Sequence, residues 1–146
     1  MILKAFTKLY AMPGLRLGYG ISSNMEFLAQ MREVSQPWNV SIPAQMAGIA
    51  ALREIEYVDN SLELIRKERA YLKDELNKLG FRVFDSKANY IFFQAVAGLT
   101  PYCFERGILI RDCSNYRGLG DGYYRIAVRN HHENLQLLKI LEEAVS

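Results

Sequence analysis

The chain has 146 residues, half of them apolar and 23% charged, and its 18 basic and 16 acidic side chains leave a net charge of +2. This composition excludes the low-hydrophobicity, high-charge signature of disorder, and a domain of this length buries roughly 70% of its unfolded surface, so the chain is expected to fold. Both signs of charge are interspersed, which argues against a nucleic-acid stripe or a polybasic membrane patch. No apolar run approaches the roughly 20 residues that cross a bilayer.

Met1-Ile2-Leu3-Lys4 lacks the layout of a signal peptide. The expectation is a cytoplasmic protein whose partners are small molecules or another protein. The chain opens on an apolar segment, passes Pro13-Gly14, and reaches a strand-like Gly18-Tyr19-Gly20-Ile21 with turns on either side. Residues 25 to 36 are compatible with a helix that Pro37-Trp38-Asn39 breaks. Ser41 then caps a helix over 43 to 58 with Pro43 in its first turn. Its small residues, Ala44, Ala47, Gly48, Ala50 and Ala51, permit close packing against another element.

A further helix is predicted over 61 to 79. Leu62, Ile65, Leu72, Leu76 and Leu79 form its stripe, Arg69 interrupts it, Asn60 with Glu63 resembles a capping box, and Gly80 closes it. Strands follow at 82 to 84 and 89 to 95, a short helix at 100 to 106, and strands at 108 to 111 and 123 to 128. The last helix starts at 131, capped by Asn130 with Glu133, and carries Leu135, Leu138, Leu141 and Val145 on one face. This alternation argues for an α/β or α+β fold, with a boundary between 58 and 59 where one helix gives way to another.

Two stretches carry chemistry. In Ala5-Phe6-Thr7-Lys8-Leu9-Tyr10-Ala11-Met12-Pro13-Gly14-Leu15-Arg16-Leu17-Gly18-Tyr19, Lys8 sits among apolar and aromatic residues. Desolvation there, or a neighbouring cation such as Arg16, would free its amine to attack a carbonyl. Thr7 offers a hydroxyl and Arg16 a fork of donors, groups that suit a phosphate dianion, and Pro13-Gly14 supplies a turn to bring Arg16 back towards Lys8. In the second stretch, Gly107 to Tyr116 and Tyr123 to Arg129, Arg111 and Arg125 each fall on a predicted strand. An arginine in a half-buried strand calls for an anionic partner, an internal salt bridge being the bland alternative.

The first stretch resembles the Schiff-base lysine motif of the class I/II aminotransferase family at nearly every specified position. The resemblance implies a pyridoxal 5'-phosphate (PLP) enzyme in which Lys8 holds the cofactor and later carries the substrate's α-proton, with Thr7 and Arg16 gripping the phosphate. Ala5 departs from the pattern, since many members place a phosphate-binding Ser or Thr there, and weaker cofactor binding is expected. The second stretch is similar to the branch holding histidinol-phosphate aminotransferase and threonine-phosphate decarboxylase. There the residue matched by Arg125 holds the substrate carboxylate and the one matched by Arg111 faces a distal phosphate.

The resemblance further implies a fold-type I transferase of which only the carboxyl-terminal portion is present: residues 1–58 as the tail of the large cofactor-binding domain and 59–146 as the small α+β domain. The Gly-rich phosphate loop, the stacking aromatic and the Asp that pairs with the ring nitrogen would precede it. A homodimer acting on an amino acid or amino-phosphate is the leading expectation; a catalytically inactive α/β binding or dimerisation module is the alternative. Cys103 and Cys113 lack ligand spacing, so no metal site is expected and buried thiols are. Adjacent His131 and His132 point to different faces and make a poor metal pair, leaving solvated helix-end residues.

Overall fold

The structure is a computed structural model and describes residues 1–145. The chain divides into two compact units, Met1–Ser61 and Leu62–Ser146.

In the first unit, β1 (Ile2–Ala5) pairs antiparallel with β2 (Gly18–Ile21), Ala5 lying opposite Gly18, and a one-turn helix α1 (Phe6–Leu9) continues directly from β1. Helix α2 (Met25–Val34) is capped by Asn24, whose side chain accepts from the Phe27 amide at 2.9 Å. Helix α3 (Ile42–Ala51) is capped by Ser41 as its sequence predicts, with Pro43 in the first turn. Ala44, Gly48 and Ala51 form its buried face. A Cβ at Gly48 would come within 2.4 Å of Leu17 Cδ2, so any larger residue there must displace the end of that side chain.

Helix α3 stops at Ala51 rather than at 58, and the next helix, α4 (Ile55–Lys78), starts six residues before the expected 61. The amides of Arg53 and Glu54 bond back three residues to Ala50 and Ala51, the tightened turn that ends helices. The Asn60–Glu63 cap is therefore not formed. With neither Gly nor Pro between Ile55 and Lys78, nothing interrupts α4, and a potential cap residue is carried along inside it. The division between the units falls inside α4.

The second unit is a four-stranded antiparallel sheet in the order β3-β4-β6-β5, formed by β3 (Arg82–Val83), β4 (Tyr90–Gln94), β5 (Arg111–Asp112) and β6 (Tyr123–Ala127). Helices α4, α5 (Leu99–Glu105) and α6 (His131–Glu143) pack on one face. Strand alternation sorts the residues: Ile91, Phe93, Tyr124 and Ile126 enter the core with Leu72, Leu76, Leu99, Leu138 and Leu141, while Tyr90, Phe92, Tyr123 and Arg125 face away. The Tyr124 hydroxyl is satisfied in the core, accepting from the Leu99 amide at 3.3 Å and donating to Val96 O at 3.1 Å.

Gly80, at φ +79°, ends α4 as expected. Its amide bonds to Asn77 O and that of Phe81 to Leu76 O, a Schellman closure with Phe81 and Leu76 both in the core. Asn130 caps α6 through the Glu133 amide at 3.0 Å. The predicted stripes hold at Leu72 and Leu76 in α4 and at Leu138 and Leu141 in α6, but their first members do not join the core. In α4 the buried residues are Glu68, Leu72 and Leu76, with Leu62 53% exposed; in α6 they are Asn134, Leu137, Leu138 and Leu141, with Leu135 44% exposed. Strand β5 is confined to Arg111–Asp112, because Gly107 (φ +80°) and the Ile108 amide, bonded to Cys103 O, commit the preceding residues to the turn after α5.

Candidate active site

Lys8 sits on α1, anchored by its neighbour two positions earlier. Phe6 is buried, stacks on Tyr10 at 4.8 Å, meets Tyr19 edge-on at 5.9 Å, and lies beside Gly48. The Phe6 amide bonds to Leu17 O at 3.1 Å, so residues 7 to 16 form a closed loop at the end of the β1–β2 hairpin. Two non-glycine residues in this loop have left-handed backbones, Ala11 (φ +51°) and Arg16 (φ +52°). Such conformations cost of order 1–3 kcal/mol each and tend to cluster at functional sites. The Arg16 guanidinium donates to Pro13 O at 2.9 Å.

Lys8 is exposed within the first unit, so the desolvated surroundings suggested by its sequence neighbours are not formed by this unit. Thr7 is half-buried and Arg16 exposed. The loop brings the three to one end of the hairpin; among the described residues no hydrogen bond joins Lys8 to Thr7 or Arg16. A larger hollow of about 580 Å³ between the hairpin and α2 is lined by none of the three.

The second constellation lies on the face of the four-stranded sheet turned away from its helices. Arg125, in the centre of β6, pairs with Phe92 on one side and Arg111 on the other. Its guanidinium lies over the Tyr90 ring at 4.9 Å, while Arg111 lies over Tyr116 at 5.6 Å and donates to Asn115 Oδ1 at 3.0 Å. Among the described residues neither arginine has a carboxylate at ion-pair distance, so the internal salt bridge that would make them merely structural is not formed.

Beside Arg125 is a cavity of about 450 Å³ whose walls include Phe84, Tyr90, Phe92, Tyr116 and Leu119. The rings of Phe84, Phe92 and Tyr123 stack at 4.9 to 6.4 Å, giving the cavity a flat aromatic flank.

Cys103 and Cys113 are free and buried. Burial pushes both thiols above their ordinary value, with Arg125 and Arg111 pulling Cys113 the other way. Among the described residues, no group of three or more His, Cys, Asp or Glu could hold a metal, and no helix is long and apolar enough to cross a membrane. Trp38, in the stretch that breaks α2, is 97% exposed at a left-handed position (φ +59°) where the chain turns towards α3.

His131 is exposed at the start of α6, as the solvated reading has it, and its Nδ1 also lies 3.2 Å from Oε2 of Glu68, which is 2% exposed and accepts from Asn134 Nδ2 at 2.9 Å. The sequence reading missed this buried carboxylate. Glu68 lies one turn before Leu72, on the apolar stripe, and that spacing is the signal that could have found it.

The first unit thus presents a lysine on a strained loop, and the second a small sheet with two uncompensated arginines. The model of the family described as aminotransferase class I and II matches residues 1–142, and the chain belongs to that family.

Among its relatives are the histidinol-phosphate aminotransferase of Methanosphaera stadtmanae, 34% identical over 99% of this chain and 41% of its own length, and the threonine-phosphate decarboxylase of Salmonella typhimurium, 35% identical over 99% and 41%. The crystal structure of the histidinol-phosphate aminotransferase from Clostridium acetobutylicum superposes with a TM-score of 0.91 at 38% identity, over 98% of this chain and 45% of that one. The chain thus spans about two fifths of the length of the relatives it matches.

Proposed function

We propose that these residues are the carboxyl-terminal part of a PLP-dependent enzyme acting on an amino acid or amino-phosphate in the cytoplasm. Met1–Ser61 then belongs to the tail of the large cofactor-binding domain and the remainder to the small domain. The observation that carries this reading is the uncompensated Arg125 over Tyr90, set in an aromatic-walled cavity, in a chain that also presents Lys8 on a braced, strained loop.

The donor set fits the cofactor. A guanidinium carries five N–H donors, and Arg16 commits one to Pro13 O, which leaves donors for a phosphate beside the Thr7 hydroxyl. The amine of Lys8 would hold the cofactor's carbonyl carbon and, once displaced by substrate, carry the proton at the substrate α-carbon. When bound, PLP supplies an electron sink for the charge left at that carbon. A structural relative, the histidinol-phosphate aminotransferase of Sinorhizobium meliloti, has been solved in complex with pyridoxal-5'-phosphate.

Arg125 would grip the substrate carboxylate through its fork, and Arg111 would face the distal anionic group. By gripping the carboxylate, Arg125 would orient the bonds at the substrate α-carbon, and the same residues would serve transamination or decarboxylation. The exposed apolar side chains of the first unit, among them Ile2, Leu3, Ile42 and Met46, support assembly with further protein, a second copy included.

The test is to add PLP, reduce with borohydride and map the adduct by mass. Labelling concentrated at Lys8 and lost in Lys8→Ala supports the reading. Labelling spread evenly over the lysines, or none, sinks cofactor binding by this chain and favours the inactive module.

A further inference from the structure

Glu68 and Arg69 stand side by side on α4, the first buried and the second half-buried, where the apolar stripe is interrupted. Each reaches the end of a different strand. Arg69 donates to Ala88 O at 2.9 Å, two positions before β4 begins at Tyr90. Glu68 Oε2 accepts from Asn134 Nδ2 at 2.9 Å and lies 3.2 Å from His131 Nδ1. Asn134 in turn holds the backbone of Arg129, two positions after β6 ends at Ala127. Its Oδ1 accepts from the Arg129 amide at 3.2 Å and its Nδ2 donates to Arg129 O at 2.9 Å.

These two strand ends are neighbours. Strands β4 and β6 run antiparallel with Tyr90 opposite Ala127, and the Val128 amide bonds to Asn89 O at 2.9 Å just beyond the ladder. A single step of α4 therefore pins both strands at the end of the sheet where the Arg125 guanidinium lies over the Tyr90 ring. With no carboxylate at ion-pair distance among the described residues, the guanidinium is directed by that ring, and the ring's place depends on how β4 and β6 are aligned. Core packing does not call for this polar pair. Exchanging a buried polar contact for apolar side chains of similar volume is often neutral or stabilising, and a leucine at 68 would continue the stripe of Leu72 and Leu76.

We infer that Glu68 and Arg69 are positioning residues for the Arg125 anion site. Arg69 sets the start of β4, and Glu68, acting through Asn134, sets the end of β6, so that Tyr90 stays beneath the guanidinium. This rests on the reading of Arg125 given above. Neither residue lines the cavity, so both act through the strands rather than on the ligand.

The experiment titrates the 146-residue chain with sodium acetate at low, constant ionic strength. Two signals are read by NMR: the acetate Kd and, in the free chain, the Arg125 Nε–H resonance, which the Tyr90 ring shields and Tyr90→Leu displaces. Arg69→Met should weaken acetate binding about fivefold and carry that resonance towards its Tyr90→Leu position. Glu68→Leu should do the same, and Glu68→Gln, whose carbonyl still accepts from Asn134, should restore both signals. Urea unfolding of each variant runs beside the titration. Stability that changes while Kd and resonance stay put makes the pair merely structural and overturns the inference. Should Glu68→Leu not fold, Arg69→Met, at a half-buried position, decides alone. If Arg125→Gln weakens acetate binding while Arg69→Met leaves both signals unchanged, the inference fails and the Arg125 reading stands. If Arg125→Gln leaves acetate binding unchanged, the Arg125 reading fails and takes the inference with it.

Discussion

Arg111 and Arg125 stand directly opposite each other across the β5–β6 ladder, two like charges on facing positions of one sheet face. Such a pair costs a few tenths to about 1 kcal/mol, partly offset here by the ring beneath each guanidinium. At matched ionic strength, phosphate should therefore raise the melting temperature more than chloride does, an anion at ten times its Kd contributing about 1.4 kcal/mol. Arg111→Gln should diminish this increment while altering stability in chloride by no more than about 0.5 kcal/mol. Equal melting curves in the two salts would remove the case for an anion between them.

The exposed first member of the α4 stripe gives a direct comparison. Leu76→Ala empties a fully buried position and should cost about 2–5 kcal/mol in urea unfolding. Leu62→Ala, on the stripe by sequence but 53% exposed, should fall within about 0.5 kcal/mol of the unaltered chain.

Gly48 couples packing to the Lys8 loop. In Gly48→Ala the added methyl meets only the mobile end of Leu17, and the gain in helix propensity of about 1 kcal/mol offsets that crowding. Gly48→Leu has no such escape, lying against both Leu17 and Phe6. It should lower the yield of PLP adduct at Lys8 while acetate-induced shifts in the second unit persist. Unchanged labelling in Gly48→Leu would show that α3 does not support the loop.

Three exposed carboxyls are held below their ordinary range: Asp112 by the Ser114 amide, Glu133 by Arg129, and Asp85 by Lys73. Their folded pKa values lie under the unfolded ones, so the unfolded chain takes up protons first as pH falls. Their contribution is complete above the ordinary carboxylate range, about 4, and is lost as pH descends through it. The urea midpoint should drop on acidification below that range, and Glu133→Gln should make the drop shallower.

The parts of the fold that were legible in sequence were those with local causes. Gly80 closes α4 because only a left-handed residue completes that turn, and Ser41 and Asn130 cap the helices they precede because their side chains reach the third amide. Lys8, Thr7 and Arg16 share one closed loop because the Phe6 amide bonds to Leu17 O. Where each stripe begins was not legible: Leu62 and Leu135 are exposed, while Glu68 and Asn134 are buried and bond each other across the helices, a pairing that depends on residues far apart in sequence. Nor does sequence disclose strand register, which alone sets Arg111 against Arg125.

The alternation of β4 and β6 gives the second unit two separable alphabets. Ile91, Phe93, Tyr124 and Ile126 answer to the helices, whereas Tyr90, Phe92, Tyr123 and Arg125, interleaved with them one for one, face away from them. On the proposed reading of Arg125, a library randomised at the second set would edit recognition while leaving the core untouched. Substrate preference would then drift by single codon changes without passing through unfolded intermediates in sequence space.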